Sequence, residues 1–263
     1  MSVSMRLLGY VLHDVARSRW ILATAAFFLL ATDALLRFGT GGAASVLAIG
    51  SLVLLVVPLV SILFGTIYLH HAREFTALLL AHPVTRRQLF VAQIAGMALP
   101  MTLAIMTGIA LPFAVHGLPQ GATPASLGTV LGLAGALAFV FLALAAMVAV
   151  WFEDRVTGLA TAVGLWLLFT VIHDGAVLLV ILMFSDYPLE PAVLGLMVAN
   201  PVDLARVLLL VQFDASALMG YTGAVLQRTL TGSSGTLLAI GALTAWVAAP
   251  SLWAWQLFRR KDL

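Results

Sequence analysis

The chain has 263 residues, of which 62% are hydrophobic and 9% charged, and its formal net charge is +2. Ordinary soluble domains are about half apolar and about a quarter charged, so this composition excludes a soluble globular protein and predicts that most of the surface faces lipid. The small net charge gives no basic footprint for nucleic acid, and the absence of cysteine excludes disulfides and thiolate metal sites.

Residues 2–19 have the pattern of an amphipathic helix. Leu7, Val11 and Val15 form an apolar side, and polar residues such as Arg6 and Asp14 lie on the other. Such a helix would lie in the inner membrane interface before the chain enters the bilayer. The alternative is that this segment is only the cytoplasmic start of the first span. It has no short apolar core followed by a small-residue cleavage site, so we do not expect a signal peptide.

Six stretches are mostly apolar and about 20 residues long, the length that crosses a bilayer as a helix. They are residues 20–36, 43–69, 89–115, 126–151, 159–184 and 236–258. The pattern predicts an all-α polytopic membrane protein, with residues 1–263 forming a single transmembrane domain.

Basic residues divide unevenly between the connecting segments. If the amino terminus is inside, ten of the 13 lysines and arginines fall in inner segments and three in outer ones. Cytoplasmic segments of membrane proteins carry such an excess. We therefore expect a multi-pass protein of the cell inner (cytoplasmic) membrane with both termini in the cytoplasm.

The first inner loop, residues 70–93, reads HHAREFTALLLAHPVTRRQLFVAQ. It predicts a short helix over residues 74–81 that ends before Pro83, because the residue preceding a proline disfavours the helical conformation. Thr85 can cap the next helix, with Gln88 three residues on as its capping-box partner. We expect a rigid helix–turn–helix on the cytoplasmic face; the alternative is an ordinary charged loop.

The next inner loop, residues 152–158, is shorter and also charged. It holds Glu153, Asp154 and Arg155. This loop is either a second, smaller cytoplasmic contact point or a polar turn, and the sequence leaves both interpretations open.

His173 and Asp174 lie near the middle of the fifth predicted span. An ionisable residue at that depth is costly and usually faces the bundle interior or a wet cavity, so the pair is a functional candidate. The alternative is a structural hydrogen bond to a neighbouring helix or to a dimer partner. No basic residue except His173 lies at that depth in the predicted spans, so we expect either a protonated Asp174 carboxyl or a hydrated carboxylate.

The outer segment, residues 185–235, contains a second amphipathic pattern. Asn200 is a typical N-cap, Pro201 fits the first helical position, and Asp203 lies near the positive helix end. Apolar residues follow at helical spacing, and a further helix is predicted over residues 215–230. These helices would either rest on the outer interface or bind a partner.

The chain carries no signature of catalysis. Its only lysine is Lys261, so no G-x-x-x-x-G-K-[ST] loop exists, and neither H-E-x-x-H nor G-x-S-x-G occurs. Met97 and Met101, one turn apart, could pass Cu(I), but methionine is also common filler among membrane helices. We expect no catalytic residue, no metal site and no cofactor on this chain.

The order of these parts resembles the ABC-2 type permeases of ABC transporters. The first cytoplasmic loop of that family has an acidic residue, a leucine-rich helix, a proline and an arginine pair. The matching residues are Glu74, Leu78, Leu79, Leu80, Pro83, Arg86 and Arg87. Within the family, ANPVDLARVLLLVQFDASALMGYTGA (residues 199–224) and WLLFTVIHD (residues 166–174) are similar to the NosY-type permease of nitrous oxide reductase maturation.

This resemblance implies a permease that supports assembly of the copper–sulfur centre of nitrous oxide reductase. It implies a second copy of the chain, a cytoplasmic ATPase dimer that binds ATP and Mg, and a periplasmic β-helical accessory protein. The alternatives are an ABC-2 exporter of a lipid, peptide or drug, and a membrane scaffold that transports nothing.

Two sets of contact residues follow from this interpretation. Coupling to the ATPase is predicted for Glu74, Phe75, Leu78, Leu79, Pro83, Arg86, Arg87, Glu153, Asp154 and Arg155. Contact with the periplasmic partner is predicted for Asn200, Pro201, Asp203, Arg206, Asp214 and Tyr221. His173 and Asp174 remain the intramembrane candidates.

Overall fold

The computed structural model describes residues 3–39, 41–80, 84–184, 190–213 and 233–260. Within these ranges the chain is helical and contains no strand. The helices, in chain order, are α1 (Val3–Ala16), α2 (Arg19–Phe38), α3 (Gly42–His71), α4 (Arg73–Leu80), α5 (Arg86–His116), α6 (Pro124–Trp151), α7 (Arg155–Leu167), a π-helical segment (Leu168–Ile172), α8 (His173–Met183), α9 (Glu190–Val198), α10 (Pro201–Gln212) and α11 (Ser233–Arg260).

Six helices of the described chain are long and apolar enough to cross a membrane. We number them spans 1 to 6: α2, α3, α5, α6, the continuous helix from α7 through the π segment to α8, and α11. The six-span, all-α prediction is confirmed. Each helix begins before the predicted apolar stretch, and in spans 1, 3, 4 and 5 a polar side chain caps the added turn.

These caps are visible at the starts of spans 1, 4 and 5. The side chains of Ser18, Thr123 and Asp154 each accept a hydrogen bond from a backbone N–H in the first turn that follows. They satisfy amide groups that would otherwise lack a partner. A purely hydropathic criterion assigns such polar turns to loops, which is why the predicted spans were too short.

The core of the bundle lies between spans 2, 3 and 4. In an apolar stretch of 18 residues in span 4, 78% of the residues are buried. In the corresponding stretch of span 5, only 6% are buried. Glycines allow close approach of the helices. A Cβ added at Gly65 in span 2 would lie 2.7 Å from the Cβ of Ala145 in span 4, and one added at Gly108 in span 3 would lie 2.7 Å from the carbonyl oxygen of Ala25 in span 1.

Helix α1 is the predicted amphipathic helix, and it packs against span 3. Val11 and Val15 are buried. Val11 lies directly over Gly96, where any added side chain would clash with it. On the other side, the ring of Tyr10 stacks on that of Phe75 in α4, with ring centroids 5.8 Å apart. Helix α1 therefore contacts both the bundle, at span 3, and the first inner loop, at α4.

The first inner loop contains both helices of the predicted helix–turn–helix, on either side of residues 81–83, which lie outside the described residues. Helix α4 covers the predicted helix to within one residue. The capping box at the start of α5 is present: the N–H of Thr85 donates to Oε1 of Gln88 (3.2 Å), and the N–H of Gln88 donates to Oγ1 of Thr85 (3.3 Å). Thr76 of α4 accepts a buried hydrogen bond of 2.6 Å from the Gln93 side chain of α5. This hydrogen bond connects α4 to α5 at a distance in the chain from the residues that link them. Pro83 lies outside the described residues.

Helices α9 and α10 form an outer hairpin that enters the bundle. The Asn200 side chain, at the turn between them, donates a 2.7 Å hydrogen bond to the carbonyl of Phe169, halfway along span 5. The indole of Trp246, halfway along span 6, donates to the carbonyl of Val198 (3.0 Å). The turn of the hairpin therefore lies at the level of the middle of two spans.

Helix α10 runs outward from this level, alongside spans 2 and 4. Leu209 packs onto Gly50, in the outer part of span 2. Asn200 caps α10 as predicted, accepting from the N–H of Val202 at 2.9 Å, and Pro201 follows in the first helical turn. The amphipathic helix is therefore present, but it lies inside the bundle and not on its outer surface. The further helix predicted over residues 215–230 lies outside the described residues.

Candidate functional site

Four ionisable side chains meet where the outer hairpin contacts span 5, and we call them the intramembrane cluster. His173 and Asp174 come from the first turn of α8, directly after the π segment. Asp203 and Arg206 lie three residues apart on α10 and therefore share one face of that helix. π-Helical turns inside α-helices occur often at functional sites. At this cluster, charged side chains connect span 5 to α10.

Arg206 is the centre of this cluster. Its Nη1 donates to both carboxylate oxygens of Asp174, at 2.9 and 2.8 Å, and to Oδ1 of Asp203, at 2.9 Å. Nδ1 of His173 lies 2.7 Å from the other oxygen of Asp203. One guanidinium thus bridges carboxylates from two helices. With a neutral imidazole the cluster carries one net negative charge, and a proton on His173 would balance it.

The cluster is closed on one side and open on the other. The side chains of Asp203 and His173 are only 12% and 15% exposed, whereas those of Arg206 and Asp174 are 30% and 42% exposed. Direct exposure of these charges to lipid at this depth would be costly. The open side of the cluster therefore requires either a second protein surface or a water-filled cavity.

One imidazole and two carboxylates could in principle hold a metal ion. Ligand atoms of His173, Asp174 and Asp203 all lie within 4.8 Å of one another. However, the Arg206 guanidinium already binds three of the four carboxylate oxygens. A divalent ion placed here would meet that fixed positive charge at close range. The arrangement is therefore that of an ion-pair network between two helices.

A second region of interest lies around α4, on the side of the bundle that the sequence predicts to face the cytoplasm. Phe75 and Leu78 are exposed apolar side chains on this helix, which lies outside the membrane spans. Arg87, at the start of span 3, is also exposed. Exposed apolar groups rimmed by polar residues are typical of a surface that binds another protein. This surface is close to the second inner loop, because Nη1 of Arg155 lies 3.0 Å from Nε2 of His71.

Arg73, the first residue of α4, turns back toward the membrane. Its guanidinium donates hydrogen bonds to the carbonyls of Ala149, Phe152 and Glu153, the last at 2.6 Å. These carbonyls belong to the inner end of span 4 and the residues that follow it. Burial lowers the pKa of the Arg73 guanidinium, and the charge of Glu153 partly offsets this. Arginine nevertheless stays protonated in proteins, so the contact is charge-assisted.

Arg86 makes a similar contact with a different span. Its Nη1 donates to the carbonyl of Arg259 at 3.0 Å and approaches that of Phe258 at 3.5 Å, at the inner end of span 6. Of the arginine pair at the start of span 3, Arg86 is therefore directed into the protein and Arg87 outward. In the second inner loop, Asp154 accepts from the side chain and backbone of Thr157, which lowers the pKa of its carboxyl.

Comparison with known proteins identifies the family. The chain is 30% identical over 269 residues to the curated protein named "Probable ABC transporter permease protein NosY" from Pseudomonas aeruginosa, and the match covers 96% of each chain. This chain belongs to the NosY family of ABC transporter permeases. It is also 26% identical to the protein of that name from Stutzerimonas stutzeri, over 95% of each chain. No profile of a known protein family matches it.

In this NosY-family chain the two inner loops, which the sequence analysis treated separately, are in contact with each other. Arg73 joins α4 to the loop that carries Glu153, some 80 residues away in the chain. Most of the predicted coupling residues are exposed: Phe75, Leu78, Arg87, Glu153, Asp154 and Arg155. The exceptions are Leu79 and Arg86, which are half-buried, and Glu74 and Pro83, whose side chains lie outside what the structure describes.

The residues predicted to contact a periplasmic partner have internal roles in this structure. Asn200, Pro201 and Asp203 are buried in the bundle, and Arg206 belongs to the intramembrane cluster. A partner could reach the three buried residues only if the outer hairpin moved. Asp214 and Tyr221 lie outside the described residues, so for them the prediction stays as it was.

The contacts of two residues were missed by reasoning from the sequence, which had assigned Arg206 only to the contact with a periplasmic partner and had not singled out Arg73. The spans alone offered no basic partner for Asp174, but Arg206 reaches it from the outer hairpin. The available signal was an Asp-x-x-Arg pair, Asp203 and Arg206, in an otherwise apolar helix. Arg73 was missed as well. A cation at a helix start is unfavourable for the helix dipole, and this should have indicated that its partner lay elsewhere.

Proposed function

We propose that this chain is the membrane subunit of an ABC transporter complex that supports assembly of the copper–sulfur centre of nitrous oxide reductase. The observation that carries the proposal is the match to proteins named NosY over 96% and 95% of their lengths. The two segments whose sequence resembles NosY-type permeases, residues 166–174 and 199–224, carry the two sides of the intramembrane cluster. The chain itself would move or position a substrate, and the energy would come from another subunit.

That subunit is a cytoplasmic ATPase that binds ATP and Mg. The sequence has no phosphate-binding loop of its own, because its only lysine is Lys261. Helix α4 supports the proposal, since its exposed apolar residues Phe75 and Leu78 suit a groove on a partner. If the ATPase binds α4 from the cytoplasm, an even number of spans places both termini in the cytoplasm as well. This agrees with the excess of basic residues in the inner segments.

The proposed complex contains two copies of the chain. Few residues of span 5 are buried in the described part of one copy, and the open side of the intramembrane cluster exposes Asp174. A second copy, or a wet pathway between two copies, would shield this charge from lipid. A periplasmic β-helical protein would then bind the outer end of the dimer.

The proposal can be tested in a denitrifying strain that lacks its own NosY-type permease. With this chain and its ATPase supplied, the isolated reductase should contain the copper–sulfur centre, measured as bound copper and sulfide. A reductase that matures equally well without this chain would refute the proposed role. Loss of export of a lipid, peptide or drug in the same strain would then favour a general ABC-2 exporter. A chain that supports maturation without any ATPase would be a scaffold.

A further inference from the structure

Two helices of the bundle end on the cytoplasmic side with backbone carbonyls that lack helical partners. They are spans 4 and 6, which end at Trp151 and Arg260. The last carbonyls of a helix carry a partial negative charge, and an arginine is well suited to bind them. In this protein both arginines come from the first cytoplasmic loop, one from each end of it.

We call the contacts that each of these arginines makes an arm of the loop, and the first arm is that of Arg73. It binds three carbonyls at and beyond the end of span 4. His70, one turn earlier at the end of span 2, supports it: Nε2 of His70 lies 3.2 Å from the carbonyl of Phe152, which Arg73 also binds. This arm therefore consists of several polar contacts to one short stretch of backbone.

The second arm is Arg86, which binds the end of span 6. Aromatic packing accompanies it, because the ring of Phe90 lies 5.5 Å, between centroids, from the rings of both Trp255 and Phe258. The two arms belong to one unit, since the buried hydrogen bond between Thr76 and Gln93 ties α4 to α5.

Between the arms lies a cavity of about 150 Å³. Its lining includes Arg73 and Gln93 from the loop side, Ala149 from span 4 and Phe258 from span 6. Helix α4 is therefore not packed continuously onto these two spans. Displacement of α4 would reach spans 4 and 6 through the arginine contacts and through the apolar cluster beside the cavity, which includes Leu79, Phe90 and Phe258.

We propose that the first cytoplasmic loop is a two-armed clamp, in which Arg73 transmits displacement of α4 to span 4 and Arg86 transmits it to span 6. Both arginines are positioning residues: they bind the ends of the moving helices and not the substrate or ATP. This inference rests on the proposed function, because α4 has a source of motion only if an ATPase binds it.

The test uses the complete permease–ATPase complex in lipid nanodiscs. The chain has no cysteine, so spin labels can be attached at single introduced cysteines without background. One label at Phe38, at the outer end of span 1, is paired with a label at Ala125, at the outer end of span 4, or at Leu237, at the outer end of span 6. All three positions are exposed. Distances between labels are measured with and without ATP.

In the unmodified chain, both distances should change when ATP binds. Arg73→Ala should abolish the change at span 4 and keep that at span 6, and Arg86→Ala should do the reverse. Arg73→Lys, which keeps a donor and the charge, should restore part of the response. Arg17→Ala, an exposed cytoplasmic arginine outside the loop, should leave both changes intact.

A merely structural role would give another pattern. Each alanine variant would then reduce both distance changes, ATPase binding and thermal stability together, and that result would overturn the clamp. Variants that keep both changes would overturn it as well, and so would an unmodified complex that binds ATP without any change at spans 4 and 6. If no ATPase binds the unmodified chain, the failure is that of the proposed function and not of the clamp geometry.

Discussion

Replacing Arg206 by methionine should destabilise the protein more than any comparable change at an exposed ion pair. Methionine keeps the length and apolar stem of the side chain but removes the guanidinium that joins Asp174 to Asp203. Two carboxylates would then face each other on packed helices with no full positive charge between them.

The expected loss of unfolding free energy in Arg206→Met follows from the burial of the cluster. Removing one partner of a fully buried ion pair costs about 3–5 kcal/mol. Because the Asp174 and Arg206 side chains are 42% and 30% exposed, we reduce this to about 2–3 kcal/mol. That corresponds to a change of about 30- to 150-fold in the folding equilibrium.

The assay is equilibrium unfolding in mixed detergent micelles, followed by tryptophan fluorescence. Arg37→Met is the matched control, because Arg37 pairs with Asp33 at 2.8 Å in a mostly exposed position at the outer end of span 1. This control should cost about 0–1 kcal/mol. Adding Asp174→Asn to the Arg206→Met variant should recover about 1 kcal/mol, because it removes one uncompensated charge.

Two results would refute this reasoning. The first is an Arg206→Met variant no less stable than Arg37→Met. The second is strict additivity in the double variant, which would mean that Asp174 and Arg206 contribute independently despite their 2.8 Å contact. Either result would leave the cluster without an energetic role in holding the outer hairpin.

Three further predictions follow from the fold. Asp174→Asn alone should give a complex that assembles and hydrolyses ATP but yields a reductase lacking its copper–sulfur centre; normal reductase activity would limit Asp174 to a packing role. Phe75→Asp combined with Leu78→Asp should abolish co-purification of the ATPase while lowering the thermal unfolding temperature of the permease only slightly, through loss of the Tyr10–Phe75 ring contact; retained co-purification would exclude α4 as the docking helix. Gly108→Ala should lower stability by about 1–3 kcal/mol because the added methyl group meets backbone of span 1, whereas Gly164→Ala, with open space around it, should have little effect on the same denaturation curve.

The membrane spans and the two helices of the first inner loop could be predicted because their signals are local. Twenty apolar residues in a row define a span, and the Thr85–Gln88 capping box is contained in four residues. Such features depend on neighbours in the chain, so one sequence is enough to find them.

The position of α10 could not be predicted in this way. An amphipathic helix has the same pattern whether its polar face meets water or a charged partner on another helix. Here Asp203 and Arg206 meet His173 and Asp174, about 30 residues away in the chain. Arg73 presents the same difficulty, because its carbonyl acceptors lie 76 to 80 residues away. Long-range polar pairing of this kind leaves no periodic trace in a single sequence.

The π segment sets the phase of span 5. Hydrogen bonds there close over five residues and not four, so Leu168–Ile172 holds one residue more than an α-helical turn needs. Each residue of an α-helix advances the side-chain direction by about 100°. If the same residues were wound as a regular α-helix, the extra residue would rotate α8 by that angle and carry Asp174 away from Arg206. The wide π turn absorbs the extra residue, so that the helical registers before and after it stay matched to the positions of Phe169 and Asp174.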